Sequence, residues 1–349
     1  MLVFALSIVF IFVLVLSLLE EDEDSIHLKW AYCGILFILI LLVGFRPVGI
    51  DNDSPNYVTY YESAGVGMVE LVEPTFSIIS EFARLFDSPR LIFIIYALLA
   101  IPLKGYAITK MTPMWFLALA IWMNNYMLLH EFTQIRTAVA AALFLYGLYF
   151  LKDQRRWTYL GLCLAAVTFH YSALLLLPLA ILGTQPLNKL WRFFLIIAPL
   201  FCYAVCLKGF DPMSMIPIPL FQEKLEIYEH LRDSGATEAL NVFNTMALFR
   251  LGAYYFILWK SHEIYKSYPS IYLMLKIMGM SICCYAFFAN MPALGVRTSE
   301  LLGVIDILIL PTMVYAVKPE WVVKLVLVIV CIGLFSLNIF RNGLLLLEV

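Results

Sequence analysis

The sequence predicts an all-α polytopic integral membrane protein, with about 10–12 transmembrane helices, a re-entrant hairpin and two longer extracytoplasmic loops. Three observations carry this. Of 349 residues, 63% are hydrophobic and only 14% charged, more apolar surface than a water-soluble domain can bury. Uncharged apolar runs of about 20 residues recur, the length that crosses a hydrocarbon core of about 30 Å. The charges gather in short segments between those runs. A net charge of −2 gives no footprint for a nucleic-acid partner. Cys33, Cys163, Cys202, Cys206, Cys283, Cys284 and Cys331 lie in apolar stretches without zinc-type spacing, and read as free thiols.

Taken in order, membrane helices are expected at 2–19, 29–45, 90–109, 114–130, 133–151, 190–207, 242–259, 269–289, 299–317 and 321–340. The first lacks a basic stretch before it and a small-residue cleavage site, so it reads as a retained helix rather than a signal peptide. Residues 74–86 are too short to span and carry Glu81 and Arg84. They read as an amphipathic helix at the interface, opened by Glu73-Pro74 with proline at the first helical position. Residues 157–182 are long for one span and carry His170 at their middle. A single membrane domain is expected over 1–349, with extracytoplasmic loop segments at 46–89 and 208–240; the second includes 221–235, a short exposed helix followed by a turn.

Lys and Arg in short loops set the orientation. Lys152, Arg155 and Arg156 make 152–156 cytoplasmic, which places Lys110 inside and 46–73 outside. If 157–182 were a single span, Lys189, Arg192, Lys260 and Lys266 would fall outside. If it turns back at His170 they fall inside, with Lys318 and Lys324. The hairpin satisfies the rule. Irregular backbone at that depth needs a protein-lined or water-filled cavity around it. The same topology puts Arg46, Asp51, Glu73, His130, Arg136 and Arg297 on the outer side, with His170 pointing toward them. None of these residues was needed to orient the chain.

Ionisable groups at membrane depth cost roughly 2.5–3.5 kcal/mol each on insertion scales, so they tend to mark function. The first cluster is Arg46-Pro-Val-Gly-Ile-Asp51-Asn-Asp53-Ser-Pro-Asn-Tyr57. Its structural reading is snorkelling by Arg46 and helix capping by Asp51 or Asp53; its functional reading is an anion-binding arginine beside a carboxylate. The second runs from His130-Glu131 through Gln134 to Arg136 at the start of a helix. A cation there opposes the macrodipole, so Arg136 needs an anionic partner, either Glu131 or a ligand. The third is Phe169-His170-Tyr171-Ser172 at the hairpin tip, where the histidine is either a hydrogen-bonded core residue or a cavity-facing base. The fourth is Arg297-Thr-Ser-Glu300, with Ser299 a cap for the following helix and Glu300 a partner for Arg297 in the structural reading. Arginines near one outer cavity suit a phosphate or diphosphate, because guanidinium forks bind phosphate oxygens bidentately and stay charged. No Gly-rich phosphate loop, metal-ligand spacing or Gly-x-Ser-x-Gly elbow accompanies them, so no cofactor and no metal is expected.

The order Arg46…Gly49-x-Asp51…Tyr57, Glu73-Pro74-x-Phe76, Phe132-x-Gln134-x-Arg136-x-Ala138, Phe169-His170-Tyr171-Ser172 and Arg297 resembles EpsG-type, Wzy-like polysaccharide polymerases. The resemblance covers about residues 30–310. Arg136 and Gly147, with ten residues between them, are also similar to an Arg-x10-Gly motif of O-antigen polymerases, but lie along a helix rather than in an external loop. The resemblance implies a multi-pass protein of the bacterial inner membrane with its active site on the outer face. It implies transfer of a growing glycan from undecaprenyl diphosphate to a new lipid-linked repeat unit, for O-antigen or exopolysaccharide. Flippase and chain-length regulator proteins are the protein partners such a system implies. His170 or Asp51 would serve as base and Arg136 as a catalytic cation. Arg46, Arg297, Tyr57, Glu73, Gln134, His130 and Glu300 would bind substrate. The competing classes are a lipid-linked glycan ligase, a transporter or flippase of lipid-linked glycans, and a membrane acyltransferase with a catalytic histidine.

The topology is checked by single cysteines in a cysteine-free background. Cysteines at Thr184 and Asn188 should label from the cytoplasmic side, and one at Gly235 from outside. External labelling at Thr184 would make 157–182 an ordinary span.

Overall fold

The computed structural model describes residues 1–20, 26–64, 73–208 and 240–346. Among these the regular structure is entirely helical, and seven helices are long and apolar enough to cross a membrane by length and composition. Most of the expected loop at 208–240 and the helix expected within 221–235 lie outside the described residues. The chain forms two compact units, Met1–Ile181 with Met313–Val349, and Leu182–Thr312.

The first unit contains α1 (Leu2–Leu19), α2 (Ile26–Gly44), α3 (Ser54–Ala64), α4 (Pro74–Arg84), α5 (Arg90–Met111), α6 (Trp115–Ile121), α7 (Ile135–Lys152) and α8 (Arg156–Phe169). α7 is its centre and packs against both α5 and α8. The reason is in its sequence: Ala138, Ala140, Ala141 and Ala142 are buried, and small side chains let helix backbones approach where lipid offers no hydrophobic drive. The outer helices α1 and α2 instead expose Phe4, Ile11, Phe37 and Ile38, an apolar surface suited to acyl chains. α4 is amphipathic as expected. Phe76, Ile79, Ser80 and Ala83 face inward, while Ile78 and Phe82 remain exposed.

The break at His170 is present. α8 ends there, and Tyr171–Ile181 continues as a tighter 3-10 helix. The Tyr159 hydroxyl donates to the Leu176 carbonyl at 2.8 Å. In one continuous helix those residues would stand about 25 Å apart, so the chain has turned back on itself. Gly147 of α7 makes room for this packing: a Cβ there would lie 3.0 Å from the Tyr159 ring. The ten-residue spacing from Arg136 to Gly147 is thereby accounted for by packing.

Three expected boundaries are corrected; the simplest is the helix expected at 242–259, which runs on to Ser267 and takes in Lys260 and Lys266. The segment read as a helix at 114–130 and a short outer loop at 130–133 is one helix. It widens after Ile121 into π winding over Trp122–Thr133, with only Gln134 as a junction before α7. His130 and Glu131 are therefore buried in the bundle rather than set in a loop. The helix expected at 299–317 begins earlier, at α12 (Pro292–Gly303), because Pro292 supplies a preorganised first position. Ser299 is thus inside a helix and caps nothing; its carbonyl accepts from the Ser281 hydroxyl instead.

The two ends of the first unit differ in charge. At one end Lys152 Nζ donates to the Lys110 carbonyl at 3.3 Å. There too the Glu20 carboxylate accepts from the amides of Phe116 (3.1 Å) and Leu117 (3.4 Å) at the start of α6, and Lys324 donates to the Glu20 carbonyl. The opposite ends of the same helices carry Arg46, Glu73, Arg136 and His170. The last part of the chain also returns to this unit as α14 (Glu320–Ser336) and a π turn (Leu337–Arg341). There Asn338 Nδ2 donates to the Asn124 carbonyl at 2.9 Å, and the Leu346 amide donates to the Ile50 carbonyl at 2.7 Å.

The second unit contains α9 (Lys189–Leu207), α10 (Thr245–Ser267), α11 (Ile271–Phe287), α12 and α13 (Asp306–Ile309). α11 is its core and packs on α9, α10 and α12. Gly279 admits the Tyr254 ring, whose hydroxyl donates to the Leu195 carbonyl at 2.8 Å. Helix direction puts Lys189, Arg192, Lys260 and Lys266 at one end of this unit and Asn244, Tyr285 and Arg297 toward the other.

The hairpin contact yields two expectations, read as thermal unfolding in detergent. Tyr159→Phe should cost about 1 kcal/mol, the net worth of a buried hydrogen bond. Gly147→Val should cost roughly 1–3 kcal/mol by overpacking against the Tyr159 ring. Unchanged midpoints in both variants would mean that this contact does not hold the hairpin.

Candidate functional site

The site begins at a tight turn after α2. Gly49 takes φ +90°, a conformation that glycine adopts without strain, and its amide donates to Ser54 Oγ at 2.9 Å. Asp51 Oδ1 accepts from the amides of Asp53 (3.0 Å) and Ser54 (2.8 Å), capping α3. Its Oδ2 accepts from Arg46 Nε at 3.2 Å. Arg46 is 1% exposed, so it does not snorkel. Its Nη1 donates to the Val43 carbonyl at 2.9 Å and its guanidinium lies 4.3 Å from the Phe93 ring centre. Arg46 Nη2 alone has no hydrogen-bond partner among the described residues.

The turn directs α3 so that Tyr57 is buried between Phe76 and Phe93. Burial pushes the Tyr57 phenol up to about 12, although the Arg136 guanidinium opposes the shift, so the ring stays a neutral wall. On the other side of Tyr57 lies Glu73, immediately before α4. One of its oxygens accepts from Arg136 Nη1, and the other is 3.1 Å from His170 Nδ1. Burial would raise the Glu73 pKa, but the His170 hydrogen bond and the Arg136 charge outweigh it and hold the carboxyl below its usual range. The Arg136 guanidinium faces the rings of Tyr57 at 5.6 Å and Phe76 at 5.8 Å. Its side chain is 22% exposed, and that of His170 13%.

His170 reaches this cluster because the hairpin turns there. Its backbone is extended (φ −156°, ψ 114°), which swings the ring away from the axis of α8. Thr75 Oγ1 donates to the Thr168 carbonyl at 2.7 Å and ties α4 to the hairpin tip. Donation from His170 Nδ1–H to the Glu73 carboxylate would leave the ring's lone pair on Nε2.

The structure thus brings Arg46 and Asp51 together, and Glu73, Arg136 and His170 together, with Tyr57 between the two groups. The anionic partner of Arg136 is Glu73, not Glu131. Glu131 pairs instead with Lys104 of α5, both side chains fully buried, and accepts from Trp122 Nε1 at 3.0 Å. His130 is completely buried, and neither ring nitrogen has a hydrogen-bond partner among the described residues. Gln134 is partly buried at the junction before α7. Arg297 and Glu300 belong to the second unit. Arg297 is exposed on α12 and makes no ion pair with a described residue, so the pairing with Glu300 that the structural reading offered is not made.

Lys104 was not singled out from sequence, nor was the pair formed by Arg250 and Asp306 in the second unit. Arg250 Nε donates to Asp306 Oδ2 at 2.6 Å, and its Nη2 to Ser281 Oγ at 2.9 Å. Each of these charges interrupts an apolar helix, which is the signal that would have found them. No group of three His, Cys, Asp or Glu side chains among the described residues is placed to hold a metal ion.

A model of the EpsG family matches residues 29–345. The chain belongs to the EpsG family. No curated protein and no solved structure matches it. Membership makes the protein a multi-pass membrane component of polysaccharide biosynthesis, of polymerase type, and the bilayer and a lipid-linked substrate follow as its surroundings. In this EpsG family member the quoted motifs build the Arg46–Asp51 turn and the Glu73–Arg136–His170 cluster within one compact unit.

Glu73→Gln should destabilise the protein by about 1–3 kcal/mol, because it leaves Arg136 without its anion in a largely buried setting. Denaturant titration in micelles measures this. A cost within about 0.3 kcal/mol of zero would show that the bridge adds nothing to stability.

Proposed function

We propose that this protein is a polysaccharide polymerase, a glycosyltransferase that moves a growing glycan from undecaprenyl diphosphate onto a lipid-linked repeat unit at the outer face of the bacterial inner membrane. The observation that carries the reading is the carboxylate of Glu73 holding a partly exposed arginine and an oriented histidine side by side. In the step proposed, an acceptor hydroxyl attacks the anomeric carbon of the donor sugar. The bond from that carbon to the diphosphate oxygen breaks, the new glycosidic bond forms, and the hydroxyl proton passes to His170 Nε2. Undecaprenyl diphosphate leaves with the electron pair.

Arg136 faces the developing negative charge. Its Nη1 donates to Glu73 and the guanidinium also hydrogen-bonds the Tyr57 side chain, so the remaining N–H groups are those left to grip phosphate oxygens, and a preorganised cation costs no reorganisation as charge develops. Arg46 supports the same anion through its charge rather than by contact, because its Nη2 is buried, while its hydrogen bonds to Asp51 and Val43 keep the loop in place. Asp51 is the weaker candidate for the base because both of its oxygens already accept hydrogen bonds. The donor carries its own leaving group, so no metal is required by the chemistry. The basic ends of the helices, with Lys110, Lys152 and Arg155, support a cytoplasmic assignment for the opposite face.

Purified protein in liposomes with one defined lipid-linked repeat tests the reading: a ladder of products on a gel is expected, and single-repeat material alone would refute it. His170→Ala should abolish the ladder with insertion unchanged. Arg136→Lys should lower the rate by about 10²–10³-fold, since lysine offers a point charge rather than a fork. Arg46→Lys and Arg297→Lys complete the series, and wild-type ladders from all three lysine variants would remove the arginines from diphosphate binding. Ladder formation should persist in chelator; loss restored by one particular metal would overturn metal independence.

A further inference from the structure

The second unit carries a polar and aromatic surface at the end away from Lys189, Arg192, Lys260 and Lys266. It is built around Asn244. This side chain caps α10 by accepting from the Ala247 amide at 2.9 Å. Its Nδ2 donates to the Asn241 carbonyl and to the Tyr285 hydroxyl, each at 2.8 Å. The Leu240 amide donates to the Ala289 carbonyl at 3.0 Å, and Gly295 of α12 lies directly against Leu240. Residues 240–244 are therefore stapled to the ends of α11 and α12.

The staple holds an unusual pair of groups outward. Phe243 packs against the buried Tyr203 ring, with centroids 5.6 Å apart at 71°, yet remains 43% exposed. Asn241 is exposed; its Oδ1 accepts from the Phe243 amide at 3.0 Å, which leaves its two amide hydrogens without a partner among the described residues. Tyr285 is half-buried beside them; its hydroxyl accepts from Asn244 and donates to the Asn241 carbonyl at 3.4 Å, which leaves it a lone pair to accept from a ligand. A fixed aromatic face, a carboxamide and a phenol suit one ligand chemistry. A sugar ring presents C–H groups on one face, which rest on an aromatic ring, and hydroxyls at its rim, which exchange hydrogen bonds with amide and phenol groups. Preorganisation by Asn244 lowers the ordering cost of binding.

We infer that this surface binds the oligosaccharide of a lipid-linked repeat unit, with Phe243 as stacking platform, Asn241 and Tyr285 as hydrogen-bonding partners, and Asn244 as the positioning residue. The inference rests on the polymerase reading for the identity of the saccharide, since that reaction needs an acceptor glycan as well as a donor.

The test uses the full-length protein in detergent and, as probe, the water-soluble repeat oligosaccharide released from the host's own polymer. Calorimetric titration should give saturable binding at up to millimolar saccharide. Phe243→Leu retains apolar contact with Tyr203 and removes the flat ring; Asn241→Ala removes the free amide. Each should weaken binding tenfold or more at an unchanged thermal midpoint, whereas Trp259→Ala, on an exposed residue elsewhere on α10, should not. No binding by the wild type, or wild-type binding in both patch variants, overturns the site. Ladder formation is scored separately. A protein that binds the saccharide through these residues but makes no ladder keeps the site and loses the polymerase reading. One that makes ladders with the patch variants unaffected in binding loses the site alone.

Discussion

One carboxylate organises the first unit. Glu73 stands where four pieces of chain meet: the start of α4, the first turn of α7, the tip of the hairpin and, across the Tyr57 ring, the turn that follows α2. Each piece presents a group that the membrane interior disfavours. The Arg136 cation opposes its own helix dipole, and the His170 ring interrupts an apolar segment. Glu73 answers both with a single charge and stays ionised because they surround it. The result is a positive and a basic group held at a fixed separation, without a loop of loose polar chain to carry them.

Around that point the bundle uses buried charge as a fastener. Lys104 and Glu131 hold α5 to the π-helical stretch that leads into Arg136, and Arg250 and Asp306 do the same within the second unit. Such pairs are weak sources of net stability, because desolvation offsets attraction, but breaking one strands a charge. They therefore fix register more than they add to stability. The π winding has a related effect. It carries the chain from Trp122 to Thr133 with a wider turn, which buries His130 and Glu131 and leaves only Gln134 to reverse direction.

Hydropathy made most of the fold legible, because lipid imposes a single requirement on length and polarity. The amphipathic helix expected at 74–86, the break at His170 and the grouping of Arg46, Asp51, Glu73, Arg136 and His170 at one end follow from proline placement, residue counts and the positive-inside parity. The same reasoning also put His130 and Arg297 in that group, whereas His130 is buried within the bundle and Arg297 belongs to the second unit. What the sequence hid was pairing. Arg136 could have taken Glu131, five residues away, and took Glu73, 63 residues away, because π winding turns Glu131 inward toward Lys104. α12 starts seven residues before the expected position. The Arg-Thr-Ser-Glu run resembles a cap, while Pro292 begins the helix earlier and leaves Arg297 on its outer face. Buried lysine and arginine inside apolar helices were visible as interruptions but carried no indication of partner.

The first unit is also discontinuous in the chain. Residues beyond Met313 return to it, so that Lys324 meets Glu20, Asn338 meets Asn124 and Leu346 meets the turn at Ile50. These contacts join segments separated by roughly 200 to 300 residues, and none can form until the second unit has been synthesised and inserted. During biogenesis the helices that carry the arginines and the histidine wait in the bilayer with one wall missing. The loop holding Arg46 receives its last backbone tie only when the final stretch of chain arrives. A partly made chain thus has its charged residues in the membrane before it has the geometry to use them.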